Sequence, residues 1–286
     1  MNSKEVPFDP KHPRCYTKVV LDPDEKEVIY ASILGDGSVT KPSTGNLCFY
    51  HEAHADEQLP YLEWKSHYFE KFEPYFYKSL KSLQTPRHVF WNNLRKLFYQ
   101  EGKNKRATKV LTKEILDCLG PLGLMVWHID DGSYNYSNRT VQWSTDCFTK
   151  KQVVLVKRWL FEKFGIATTT PKHQNRHVVH FSRNQARKLL ALFEQYYDSL
   201  PKCPFIIRKF GKDETRLQEG IKKHRGYGKL YMRKRRLRLR LTNPEKYWKA
   251  QLKANKGRRL KYQTDEEYRK KIVQREAARR AKKAKI

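Results

Sequence analysis

Acidic side chains are scarce in this chain relative to basic ones, and long apolar runs are missing altogether. Its 286 residues carry 60 Lys+Arg against 30 Asp+Glu, a net charge of +30. No stretch approaches the ~18 consecutive apolar residues that a bilayer-spanning helix needs. The opening text, MNSKEVPFDPKHPR, is polar and proline-broken and reads as an arm or loop, with no signal-peptide core. Neither secretion nor membrane insertion is expected, and the charge calls for a polyanion, nucleic acid before a membrane surface. Cysteine is also thin. Cys15, Cys48, Cys118, Cys147 and Cys203 stand singly, with no CxxC pair. That spacing argues against a zinc knuckle and a disulfide scaffold, and for a reducing, intracellular compartment.

What is present is enough to fold. Hydrophobic residues make up 38% and aromatics 13%, so one large domain or two small ones can bury a core. The charge is uneven: residues 211–286 hold 28 Lys+Arg and 8 Asp+Glu, leaving 32 and 22 for the first 210. A moderately basic globular body is expected, followed by a strongly basic tail.

The body has a repeated order of elements. DPDEKEVIYASILGDGS offers Asp22 as a helix N-cap, Pro23 in the first turn and acids behind it, with Gly37 as the stop. A hairpin around Pro-Ser-Thr-Gly-Asn follows, then a helix in ADEQLPYLEWKSHYFEKF, strand-like text at YFYKSLKSL and HVFWN, and short helices in NLRKLFYQEG and LTKEILDCLG. PLGLMVWHIDDGS then starts the order again, with a strand pair around YNYSNRTVQWSTDC, a helix from Thr149 to Phe164, strands ATTTPK and HVVHFS, and a helix from Ser182 to Tyr197. An internal duplication is the simplest account.

Two helix ends carry the chemistry, ILGDGS at 33–38 and HIDDGS at 128–133. A carboxylate at a helix C-terminus opposes the dipole. If the two helices pack side by side, Asp36 and Asp131 converge with free carbonyls, and the spot is repulsive until a divalent cation arrives. Hard oxygen donors of this kind, with Gly35 and Asp130 beside them, suit Mg²⁺ or Mn²⁺, which assist phosphodiester hydrolysis. HEAH at 51–54 is not HExxH and shows no third ligand nearby, so His51 and His54 are expected as polar residues at a strand end.

IYASILGDG (29–37) and LMVWHIDDG (124–132) resemble the two motifs of the single-chain LAGLIDADG homing endonucleases, the second in its DDG form. The likeness runs over roughly residues 22–210 and takes in FTKKQVVLVKRWLFEKFGI and PFIIRKF. It implies an α+β fold of two pseudo-symmetric αββαββα halves, 22–120 and 121–210, between an N-terminal arm (1–21) and the basic helical tail (211–286). Each half would lay an antiparallel saddle in the DNA major groove. The resemblance further implies a monomer that cuts both strands of a long, nearly asymmetric site and leaves short 3′ overhangs. Asp36 and Asp131 would hold the metal, with a basic residue beside each. Lys209 fits the second half, and Lys109 is the choice for the first, with Lys105 its competitor. The motif helices of the family meet through small residues. Ala31 and Gly35 satisfy this, but Val126 and Asp130 occupy the matching positions, so the contact must be asymmetric or Asp130 must sit at the rim.

Groove-facing strands alternate apolar and long polar side chains. The expected DNA contacts in the first half are Lys41, Ser43, Asn46, Tyr50, Lys78 and Lys81. Those in the second are Asn135, Asn138, Arg139, Gln142 and Ser144, with the hairpin tip His173, Gln174, Asn175 and Arg176. In the tail, Arg233, Lys234, Arg235, Arg236, Arg238 and Arg240 precede two look-alike helical stretches from Thr242 and Thr264. Such a tail adds salt-sensitive affinity. Retained aspartates in both motifs favour a site-specific Mg²⁺-dependent DNA endonuclease. The alternatives are a maturase that binds intron RNA on the same scaffold and a non-catalytic DNA-binding regulator.

Overall fold

The computed structural model describes residues 15, 18–101, 107–173, 176–220, 222, 237–238 and 242–283. Two motif helices form its centre. Helix α1 (Pro23–Leu34) begins at Asp22, whose N–H donates to Glu25 Oε2 at 2.8 Å, a link that fixes the first turn. The helix ends two residues earlier than the Gly37 stop: Gly35 leaves the helical backbone, and its N–H closes on Ala31 O. Helix α5 (Pro121–Asp131) is buried nearly throughout, from Leu122 to Asp130. It lies along α1, and Glu27 Oε2 accepts the Gly123 N–H at 2.8 Å, supplying an acceptor for an orphan donor at the α5 N-terminus.

Antiparallel strands flank each motif helix. In the first half β1 (Ser38–Thr40), β2 (Phe49–Ala53), β3 (Tyr75–Tyr77) and β4 (Ser82–Gln84) make one sheet in the order β1-β2-β4-β3. Helix α2 (Leu59–Ser66) lies between the two strand pairs, and α3 (Val89–Phe98) follows them. The strand expected at HVFWN is thus part of α3. Its apolar residues Trp91, Leu94 and Phe98 recur at helical spacing, and the His88 side chain caps it by accepting from Phe90 N. A short pair, β5 (Tyr99–Glu101) and β6 (Ala107–Lys109), and helix α4 (Lys113–Asp117) lead to α5.

After α5 come β7 (Gly132–Asn135), β8 (Thr140–Trp143), α6 (Lys150–Phe164), β9 (Lys172–His173), β10 (Arg176–His177), β11 (Val179–Phe181) and α7 (Arg183–Tyr197), with a three-stranded sheet in the order β11-β8-β7 and a separate β9–β10 hairpin. Thr149 caps α6 by accepting from Gln152 N, as a capping box should. The expected ATTTPK strand is reduced to one bridge, Thr169 to His180, before the β9–β10 hairpin. Helix α8 (Pro204–Lys209) returns across the first half, where Arg208 pairs with Glu57 at 2.7 Å. The chain divides into two compact units, 1–221 and 222–286. The second holds helices Pro244–Thr264 and Glu266–Lys283. Among the described residues no helix is long and apolar enough to cross a membrane.

Candidate active site

The C-terminal ends of α1 and α5 meet, and Gly35 is why they can. A Cβ built there would lie 2.5 Å from Asp130 Oδ2. The contact is therefore asymmetric: the Asp130 side chain occupies the room that Gly35 leaves free. Asp130 does not sit at the rim, being 8% exposed. Its Oδ1 accepts from Tyr61 Oη and from Lys65 Nζ, both at 2.9 Å. Lys65 is fully buried and also donates to Glu52 Oε1 at 2.6 Å, so one ammonium joins two carboxylates from opposite halves of the molecule. Tyr50 donates its hydroxyl to the other oxygen of Glu52. Burial works against the charge on Glu52, yet Lys65 and His54 hold its carboxyl down to about 2.

Asp36 joins this network through its N–H, which donates to Asp130 Oδ2 at 3.4 Å, while its side chain is 37% exposed. Asp131 is half-buried, and its Oδ2 accepts the Trp127 indole N–H at 3.0 Å. Burial, with repulsion from Asp130 and Asp36, pushes the Asp131 carboxyl up to about 7. That is the charge frustration a cation relieves, and carboxylate donors suit Mg²⁺ or Mn²⁺.

A lysine lies at each helix end. Lys109, at the end of β6, donates to Gly35 O at 2.6 Å. Lys209, the last residue of α8, donates to Gly132 O at 2.6 Å and to Asp130 O at 3.2 Å. Each thus supplies the positive charge that a helix C-terminus favours. Burial lowers both ammonium groups from their ordinary value, against the pull of the nearby carboxylates. Lys105 lies outside the described residues. Of the other expected ligands, the Gly35 carbonyl is engaged by Lys109, and the Asp130 carboxylate by Lys65 and Tyr61.

His128 also belongs here, and sequence reasoning missed it. Fully buried in α5, it accepts at Nδ1 from Trp143 Nε1 at 3.0 Å and donates from Nε2 to Lys209 O at 2.9 Å. Those partners fix the neutral tautomer and pin the backbone that carries Lys209. Burial lowers the imidazole to about 4. The signal available was a polar residue inside an otherwise apolar helix.

The sheets show which side chains turn outward. Alternation along β2 turns Tyr50 and Glu52 inward and Phe49, His51 and Ala53 outward. Tyr50, expected as a DNA contact, is instead a fully buried core ring, 4.5 Å from Phe69. The register aligns Ser38, His51, Gln84 and Tyr75 across the first sheet. It aligns Ser133, Gln142 and His180 across the second. Of the expected contacts, Lys41, Ser43, Asn46, Lys78, Asn135, Asn138 and Ser144 are exposed, while Arg139 and Gln142 are half-buried. Lys81 takes a left-handed backbone and pairs with Asp56 at 2.8 Å. His173 and Arg176 pair across β9–β10, and Arg238 is exposed. Gln174, Asn175, Arg233, Lys234, Arg235, Arg236 and Arg240 lie outside the described residues.

The sequence profile of the LAGLIDADG DNA endonuclease family matches residues 26–189, more than half of the chain and the span that builds both motif helices. The chain belongs to that family. Among its relatives it is 30% identical over 134 residues to the probable intron-encoded DNA endonuclease 3 of Mycosarcoma maydis, covering 47% of this chain and 88% of that protein. It is 28% identical over 167 residues to the cytochrome b mRNA maturase bI2 of Debaryomyces hansenii, covering 53% and 61%. Among solved structures, the homing endonuclease I-WcaI bound to its DNA recognition sequence superposes with a TM-score of 0.55 at 17% identity, over 68% of this chain and 88% of that one. This likeness establishes the LAGLIDADG α+β fold here.

Proposed function

We propose that the protein is a monomeric, two-motif homing endonuclease that hydrolyses both strands of a long, nearly asymmetric DNA site and leaves short 3′ overhangs. One observation carries this reading: Asp36 and Asp131 lie close enough to repel each other where α1 and α5 end together, and a half-buried lysine is anchored at each helix end. An RNA-binding or regulatory role needs no such pair. The relatives named as endonucleases support the same reading.

Asp36 and Asp131 would hold Mg²⁺ or Mn²⁺, which when bound supplies activation of a water and neutralisation of charge on the reacting phosphate. The chain's own groups do the rest. Lys109 and Lys209 are anchored to helix-end carbonyls, so their ammonium groups are held in place to orient a water or offset phosphate charge. His128 keeps the Lys209 backbone in register with Gly132. The outward rows Ser38–His51–Gln84–Tyr75 and Ser133–Gln142–His180 would read base edges, with Asn and Gln suited to adenine and basic side chains to guanine. The tail unit, 222–286, would add non-specific contacts to flanking duplex.

The fused exon sequence flanking the gene, incubated with the protein and Mg²⁺, should be cut on both strands. Asp36→Asn or Asp131→Asn should abolish cutting and leave DNA affinity largely intact; normal cutting by either variant would overturn the metal assignment. The maturase relative favours a second reading, intron RNA binding on the same scaffold. It gains if the protein binds its intron RNA and leaves the fused exon DNA whole.

A further inference from the structure

The network beneath Asp36 has one feature that the proposed chemistry does not use. His54, one residue past the end of β2, is 2% exposed in its side chain, and its Nε2 lies 2.6 Å from Glu52 Oε1. Glu52 in turn is fixed by Lys65. This locks the imidazole ring and turns Nδ1 toward Asp36, 3.8 Å from Oδ2. Among the described residues Nδ1 makes no hydrogen bond. A carboxylate that holds one ring nitrogen while the other faces out is the arrangement that orients metal-binding histidines. A separation of 3.8 Å is within reach of two donors sharing one ion at about 2.0–2.2 Å each. Asp36, His54 and Asp130 have donor atoms within 4.8 Å of one another, but Lys65 engages the Asp130 carboxylate. That leaves Asp36 and His54, which face each other as an ion pair when the ring is protonated, as the pair a cation would bridge on displacing the Nδ1 proton.

Among the described residues the second half shows no equivalent. Asp131 meets an indole N–H, a donor that cannot bind a cation, and His128 turns both ring nitrogens to protein partners. The two sides of the centre therefore differ in kind. We propose that His54 is a nitrogen ligand to the divalent cation on the Asp36 side, making that side an oxygen-and-nitrogen site suited to transition metals, while the Asp131 side is an all-oxygen site. The proposal rests on the reading that Asp36 holds a cation.

Mn²⁺ bound to the full-length protein, examined by pulsed electron paramagnetic resonance, should show coupling to an imidazole nitrogen. The coupling should vanish in His54→Gln, His54→Asn and Asp36→Asn and persist in Asp131→Asn. Gln retains a group that reaches Glu52 and Asn one near the position of Nδ1, so at least one variant should keep the wild-type melting temperature. In that variant Mn²⁺ affinity should fall about tenfold or more, and Mg²⁺ affinity by less. Bound Mn²⁺ with no nitrogen coupling, or coupling that survives in the folded His54 variant, overturns the ligand and leaves the carboxylate reading standing. No bound Mn²⁺ at all overturns it as well, and cleavage by Asp36→Asn then decides the parent reading separately.

Discussion

Lys65 and His128 show how single buried residues set the chemistry around the motif helices. Lys65 compensates two carboxylates, Glu52 and Asp130, away from water. Removing one partner of such a set strands the other charges, so Lys65→Met should cost about 3–5 kcal/mol, measured by urea unfolding at neutral pH. His128 gives a pH dependence. Its folded pKa is about 4 against an ordinary 6.5, so as pH falls through that window the unfolded chain takes up a proton before the folded one. The His128 contribution to stability should decline from pH 6.5 to about 4, by up to about 3 kcal/mol, and no further. Asp131, raised to about 7, contributes with the opposite sign over the same range, so the decline should be read as the difference between urea melts of the wild type and His128→Gln, which should shrink as pH falls. Neither residue was legible as functional. A lysine among aromatics and a histidine in an apolar helix announce burial, but their partners lie 65 and 81 positions away.

At the scale of elements, the close passage of α1 and α5 depends on the match of Gly35 with Asp130. Gly35→Ala would push a methyl into the Asp130 side chain and should destabilise by about 1–3 kcal/mol. Combined with Asp130→Ala, the losses should not add. A double-mutant cycle should give a coupling of about 0.5–3 kcal/mol, and strict additivity would disprove the contact. Local text placed α6 and α7 well, because the Thr149 cap of α6 and the amphipathic spacing of both helices are short-range signals. It misread HVFWN, where aromatic and β-branched residues favour a strand, because α3 is decided by packing Trp91 against Phe69 and Phe72. It also set Tyr50 on the wrong face. A strand's two faces differ by one residue of register, and that register is fixed by pairing with β4 across an intervening helix.

At the scale of the whole molecule, two basic units share one chain, and the break after Ile221 falls within what composition alone marks as tail. Residues around Gly211 belong to the body, where a Cβ at Gly211 would meet the Tyr134 ring. Deleting 222–286 should thus leave the body folded, weaken DNA binding and reduce the steepness of log affinity against log salt. An unchanged slope would make the tail a passenger. By itself the sequence determined the two helices that end beside Asp36 and Asp131, the excess of basic charge and the membership of a family, because these are written in local order and composition. Only the tertiary structure decided that Asp130 is held by a buried lysine, that Lys109 and Lys209 reach the helix-end carbonyls, and that His54 faces Asp36. Those depend on which distant side chains come within hydrogen-bonding distance once the two halves are packed, and no local pattern encodes that distance.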